Sequence, residues 1–239
     1  MSAPSQRSRI RRLPKRARYD RETIHGILDQ GSVAHVGFVA DGAPVVVPMA
    51  YARLGDRLVL HGARAGRLAE VLGGGAPVCV TVTILDGLVL ARSAFHHSMN
   101  YRSVVVLGAA RPIRGAAAKG RALRALSEHL VPGRWDDVRE PTPRELAATA
   151  LFELPLDEAA AKIRTGPPVD APGDYGRRTW AGVIPLALCP GAPEPDPRLA
   201  AGIGLPGYLR LLPDCWGIAR SASARRRTAP GMSPDGTAA

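Results

Sequence analysis

The chain has 239 residues, 46% of them hydrophobic but only 5% aromatic, and a formal net charge of +11. That length holds one domain with a full core, with or without tails. Three cysteines without metal-ligand spacing, Cys79, Cys189 and Cys215, argue against a disulfide framework and suit a reducing cytoplasm, and no run approaches the ~18 uninterrupted apolar residues of a membrane helix.

Residues 1–18 read as a disordered basic arm: Arg7, Arg9, Arg11, Arg12, Lys15, Arg16 and Arg18 occur there with no acid. No apolar stretch follows, so the arm is not read as a secretory signal. With Arg220, Arg225, Arg226 and Arg227 near the other end, it accounts for nearly all of the net charge, and the body is close to neutral. Basic arms can touch nucleic acid or anionic lipid, but solvated basic termini are the commoner case. Among 32 basic residues only Lys15, Lys119 and Lys162 are lysines, which points to the codon bias of a GC-rich genome. Nucleic acid is therefore not expected as a partner.

Asp20–Gln30 predicts a short helix with Asp20 as N-cap, Thr23 at the third helical position and Gly31 as the stop. Val33–Ala40 and Val45–Ala52 predict paired strands about an Asp41-Gly42 turn, with Pro48 confined to an edge or bulge. Gly55-Asp56 turns the chain into a third strand, Arg57–His61. Leu68–Leu72 predicts a short helix ended by Gly73–Gly75. Val78–Leu85 is a fourth strand, Asp86-Gly87 another hairpin turn, Leu88–Ser93 a fifth strand and Arg102–Ile113 a sixth. Leu123, Leu126 and Leu130 mark a helix over 115–130. A short helix near 143–149 and a last strand, Leu151–Leu156, follow.

Meandering strands with short Gly turns predict a mainly β fold, a six-stranded antiparallel split barrel with a few flanking helices. Alternating strand–helix units, the mark of a doubly wound sheet, do not occur. The chain divides into the arm at 1–18, a barrel domain at 19–186, and a Pro- and Gly-rich extension at 187–239 that ends in a disordered tail from about Ser221.

Three segments carry candidate chemistry. His61-Gly-Ala-Arg-Ala-Gly-Arg67 joins a strand to a helix. Glycines let backbone amides approach an anion, the helix start adds a positive dipole, and Arg64 and Arg67 add charge-assisted bonds for a phosphate. The plainer alternative is a glycine turn with two solvated arginines. Val47-Pro-Met-Ala-Tyr51 offers backbone on which a flat ligand can lie, or merely an edge-strand proline beside a half-buried tyrosine. Phe95–Leu107 masses His96, His97, Ser98, Asn100, Tyr101, Arg102 and Ser103 before a β-branched run, more polar groups than a strand entrance needs, as at a ligand site. Adjacent His96 and His97 point to opposite faces of a strand, and no other His or Cys lies at ligand spacing, so no metal site is expected. His25, His35 and His129 read as ordinary helix or strand residues. No Gly-x-Ser-x-Gly elbow, Walker loop or Gly-x-Gly-x-x-Gly fingerprint occurs.

In order, Val47–Tyr51, Leu58–Arg67, Val78–Val82 and Asn100–Gly108 resemble the flavin-binding split-barrel family of pyridoxamine 5′-phosphate oxidases, in its nitroimidazole-reductase-like branch. The likeness covers about residues 18–190. It implies a homodimer with flavin in two interface grooves, FMN as the usual ligand and FAD as the alternative. Arg64, Arg67 and the Gly66 turn would hold the phosphate. Pro48, Met49, Ala50 and Tyr51 would run along the isoalloxazine ring, and Tyr101, Arg102 and Ser103 would border the groove. His61 matches the histidine near the flavin and is the candidate catalytic proton donor of a flavin-dependent oxidoreductase. The C-terminal substrate segment of pyridoxamine oxidases has no counterpart after Leu186. A non-catalytic flavin- or haem-binding and storage module, or a deazaflavin protein, would use the same groove.

Overall fold

The computed structural model describes residues 5–211. The expectations for Cys215, for Arg220–Arg227 and for the tail from Ser221 lie outside the described residues. Two antiparallel sheets carry the fold, with few helices, in keeping with the expected mainly β class. The larger sheet has seven strands in the order β1 (Ala17–Arg18), β10 (Glu158–Arg164), β7 (Ser98–Ala109), β6 (Pro77–Leu90), β2 (Ala34–Ala40) and β3 (Ala43–Met49), with β11 (Gly182–Pro185) also on β6. The smaller has four, β4 (Ala52–Arg53), β5 (Arg57–Ala63), β9 (Thr149–Pro155) and β8 (Arg111–Pro112). Helix α1 spans Arg21–Gln30, α2 Arg67–Gly73, α3 Ala116–Leu130 and α4 Pro143–Ala148.

Alternation builds the core. Ala34, Val36 and Phe38 of β2, Val78, Val80 and Val82 of β6, and Val104 and Val106 of β7 point inward. They meet Leu58 and Leu60 of β5, Leu154 of β9, and Ile24, Ile27 and Leu28 of α1. The opposite face of the small sheet is also covered: Val59 and Leu151 pack with Ala122 and Leu126 of α3. Burial on both faces explains why β5 is apolar at consecutive positions.

Asp20 caps α1, its carboxylate accepting from the Thr23 N–H at 2.8 Å. Asp41 and Gly42, at φ 53° and 74°, form the expected β2–β3 turn. Asp86-Gly87 does not turn the chain. β6 runs through it with a register shift between Leu85 and Gly87, and the reversal comes at 91–97. A Cβ on Gly87 would stand 2.9 Å from the Ile184 carbonyl oxygen, so the glycine admits β11 at a bulge. The expected fourth and fifth strands are therefore one.

β10 and the N-terminal path, like β11, have no counterpart in the sequence reading. β10, Glu-Ala-Ala-Ala-Lys-Ile-Arg, has helix-forming composition but lies between β1 and β7, with Ala159, Ala160 and Ala161 all buried. Packing overrides propensity there. Residues 5–18, expected to be disordered, have a defined path. Ser5 and Arg7 bond Glu158, the Ile10 N–H donates to the Tyr19 hydroxyl at 2.9 Å, and β1 pairs with β10. Within this path Leu13 has φ 57°, which costs a non-glycine residue about 1–2 kcal/mol.

Candidate functional site

β5 ends at Ala63, and the chain crooks through Arg64, Ala65 and Gly66 into α2. The Gly66 N–H donates to the Ala63 carbonyl at 2.9 Å and the Arg64 N–H to Ala148 at 3.3 Å. A Cβ on Gly66 would lie 3.1 Å from the Ala63 oxygen, so the crook is tight, although φ there is an ordinary −85°. Arg64 and Arg67 are exposed, and neither forms an ion pair among the described residues. His61 shares the Val59 face of β5 by alternation and opposes Leu151. Its Nδ1 is buried without a hydrogen-bond partner among the described residues. Two free guanidinium groups, a close-set turn and an orphaned imidazole nitrogen suit an anionic ligand with a polar ring.

Pro48 is exposed and faces His35 across the edge pair β2–β3, while Met49 and Ala50 are half-buried. Tyr51, expected along the ring, is instead a core residue with no exposed surface. Its hydroxyl donates to the Leu28 carbonyl at 2.5 Å, and its ring lies 4.9 Å from that of His129. Burial, and then the Asp29 charge, pushes its phenol well above the usual range.

Tyr101, Arg102 and Ser103 lie within β7 rather than before it, because the strand begins at Ser98. Arg102 is fully engaged: Nε and Nη2 donate to Asp86 at 2.9 and 2.7 Å, and Nη1 to Gln30 at 2.6 Å. The Ser103 hydroxyl donates to the Lys162 carbonyl at 3.4 Å. Asn100 is buried, with its amide donating to Gly166 at 3.2 Å and its oxygen accepting from Arg164. Among the described residues the buried Arg164 guanidinium otherwise meets only the Gly166 and Pro167 carbonyls, each at 3.2 Å. Desolvation, reinforced by Arg16, lowers its pKa. Arg164 and Gln30 escaped the sequence reading, since nothing local marks a residue whose partner is dozens of positions away.

These residues form two groups rather than one. Lys119 Nζ donates to the Thr149 carbonyl at 2.7 Å, and Thr149 opposes Ala63. On the same helix, the His129 Nε2–H donates to the Gly31 carbonyl at 2.7 Å, beside the Gln30 that holds Arg102. The stretch of α3 from Lys119 to His129 rises about 15 Å. Arg64, Gly66 and Arg67 follow Ala63 near one end of that span, and Arg102 is tied through Gln30 to the other. His61 lies between, two residues from the Val59 that opposes Ala52, next to the Tyr51 whose ring packs on His129. A cavity of about 320 Å³, lined by Leu54, Asp56, Arg57, Val59, Ile113 and Glu153, contains none of them.

The polar loop after β6 fixes its histidines. His97 Nδ1 accepts from the Ala91 N–H at 2.9 Å, and His96 Nδ1 lies 2.7 Å from the Ser93 hydroxyl. His96, Asp170 and Asp174 bring ligand-capable atoms within 4.8 Å of one another. Arginines already hold both carboxylates. Arg92 reaches Asp170 through its backbone N–H at 2.9 Å and Nη1 at 3.0 Å, and Arg177 reaches Asp174 at 2.6 Å. Burial pushes the Asp170 carboxyl up, but the Arg92 bonds outweigh it and leave its pKa below the ordinary value.

Two antiparallel sheets packed on an apolar core are the architecture this chain shares with the split-barrel flavoproteins. The chain belongs to the flavin-binding, pyridoxamine 5′-phosphate oxidase-like family, whose model, described as pyridoxamine 5′-phosphate oxidase, matches residues 20–163. It is similar to the flavocytochrome Anf3 from Azotobacter vinelandii, at 43% identity over 88% of this chain and 98% of that one, with a TM-score of 0.83. It is also similar to an FAD and heme binding protein from Mycobacterium smegmatis, at 40% identity over 82% of this chain and 96% of that one, TM-score 0.78. A protein described as a 5-nitroimidazole antibiotic resistance protein, from Bacteroides thetaiotaomicron, matches at 25% identity over 62% of this chain and 86% of that one, TM-score 0.52. No curated protein matches the sequence. Among the described residues no helix is long and apolar enough to cross a membrane.

Proposed function

We propose that this chain is a redox protein that binds FAD and haem and acts as a homodimer. The observation that carries this reading is the likeness, over 88% and 82% of the chain, to two proteins named for a flavin with haem or a cytochrome. FAD accordingly takes the place of the FMN expected from the sequence. Bound flavin supplies hydride or electron exchange, and haem supplies one-electron exchange. Arg64 and Arg67 hold the phosphates at the Gly66 crook, and exposed Pro48 with Met49 and Ala50 offers an edge for the ring.

Among the described residues His61, His96 and the exposed His35 have a ring nitrogen open to haem iron, whereas His25 is paired with Asp56 at 3.1 Å. His96 can donate from Nδ1 to Ser93, leaving Nε2 free, and His61 has no hydrogen-bond partner at Nδ1. His97 accepts at Nδ1 and so carries its proton on Nε2, while the Nε2–H of His129 is committed to Gly31. If His61 is not a ligand, its Nε2 is the nitrogen left to carry a proton to a reduced substrate.

The test is an absorbance spectrum of the purified protein followed by release and chromatography of its chromophores. FAD with a Soret band is the expected result, and a colourless protein that takes up neither group overturns the reading. In His61→Ala, loss of the Soret band with flavin retained marks a ligand. Retained bands with lost turnover mark a proton donor, and unchanged turnover removes His61 from the chemistry. A flavin that neither a nicotinamide donor reduces nor air reoxidises leaves a binding module.

A further inference from the structure

The basic arm is not loose. Ser5 and Arg7 anchor it to Glu158, Tyr19 holds Ile10, and the Arg18 guanidinium donates to the Lys15 and Ala17 carbonyls at 3.0 and 2.7 Å. Between these anchors the chain turns at Leu13 into a single 3-10 turn, Pro14–Arg16. Leu13 stands at φ 57°, in the left-handed region that leucine avoids, and is 48% exposed. Arg9, Arg11, Arg12 and Lys15 surround it in sequence, all exposed and none in an ion pair among the described residues. A strained backbone that exposes one apolar side chain among cations close to it in the chain has the make-up of an interface centre with a charged rim.

Register places this crown beside the candidate site. Ala17 opposes Lys162, and Lys162 opposes Ser103. Two strand spacings, ~10 Å, therefore separate the arm's strand from Ser103 and its neighbours Tyr101 and Arg102. Such proximity suits a partner that exchanges electrons, not one that only needs a charged surface. The arm also offers no exposed aromatic side chain on which bases could stack, since Tyr19, which adjoins it, is half-buried.

We infer that the crown from Arg9 to Arg16, with Leu13 at its apex, is the docking surface for a small acidic electron-carrier protein. The inference rests on the redox reading of the site. Each visit passes one electron from the reduced carrier, which leaves oxidised. Two visits and two protons from solvent complete a two-electron reduction of bound flavin. Encounter is steered by charge, so it weakens with salt.

The probe is a fluorescently labelled acidic flavodoxin, titrated with the full chain as purified and followed by anisotropy at low and at physiological salt. Binding that weakens at least tenfold with added salt is expected. A further tenfold loss is expected in the R11E/R12E/K15E variant. Leu13→Gly, which relieves the backbone while removing the side chain, should bind several-fold more weakly with a melting temperature that does not fall. The inference is overturned if the wild-type chain does not bind, if both variants bind as it does, or if duplex DNA or phosphatidylserine vesicles bind more tightly at the same salt. Docking is read from the carrier's label, so a chain without flavin sinks the redox reading separately from this result.

Discussion

Gly31 illustrates how a residue can be legible in one sense and hidden in another. As a helix stop it is plain from the sequence, and α1 does end there. The reason is different from the usual one: its φ of −78° is open to any residue. A Cβ there would sit 2.4 Å from Val82 Cγ1 and 2.9 Å from the Tyr51 hydroxyl. The glycine lets α1, β6 and Tyr51 close on one another, and its carbonyl accepts the hydrogen bond from His129 Nε2–H. Gly31→Ala should therefore lower stability by about 1–3 kcal/mol through overpacking. Val82→Ala in the same chain should return part of that loss, since the closest clash disappears. Urea unfolding of the four members of this cycle measures both effects, and an unmoved midpoint in Gly31→Ala would contradict the packing account. Arg102 shows the limit of residue-by-residue reading. Its donors are visible in the sequence, but not that Asp86 and Gln30 already occupy them.

Elements were legible where local chemistry decides them. The Asp20 cap, the Asp41-Gly42 turn and the alternation of β2 all act within a few residues. β10 was not, because three alanines favour a helix and only the closeness of β1 and β7 makes a strand of them. The Asp86-Gly87 bulge reads as a turn in the sequence because the same dipeptide serves both, and β11, about a hundred residues away, distinguishes them. α4 is a short helix held by its start. Thr142 and Glu145 form a reciprocal capping box, and Arg139 grips the Glu145 carboxylate at 2.5 and 2.8 Å. The Arg139 bond, and next the Thr142 N–H, draw the Glu145 carboxyl down to about 2 from an ordinary 4.5. A depressed carboxyl contributes stability that is present above its unfolded pKa and lost as pH falls through the folded one. α4 should therefore keep its amide protection above pH 4.5 and lose it between there and about 2. Glu145→Gln should flatten that dependence. Hydrogen exchange at Leu146 and Ala147 reads the change, and equal protection at both ends of the window would remove the cap from the account.

At the scale of the whole molecule, the separation between the two groups of candidate residues becomes the informative quantity. Arg67 belongs to the end of α3 near Lys119, and Tyr101 to the end near His129, about 15 Å apart along that helix. A dinucleotide can span such a gap within one chain, or two copies can bring the groups together across a twofold axis. The two arrangements differ in what happens when damaged chains are mixed. In a shared groove, each site takes Arg67 from one copy and Tyr101 from the other. A heterodimer of Arg67→Ala and Tyr101→Ala then gathers both substitutions into one site and leaves the other intact. Each variant alone should retain little flavin, whereas coexpression of the two should restore about a quarter of the wild-type content, because half of random dimers are mixed and each has one sound site. Flavin per chain, measured by absorbance after purification through two different affinity tags, gives the mixed species alone and should then approach half. If the mixed dimer binds no more flavin than either parent, each groove is built within a single chain, and the partner's role in the site is refuted while the fold and the Arg67 assignment stand.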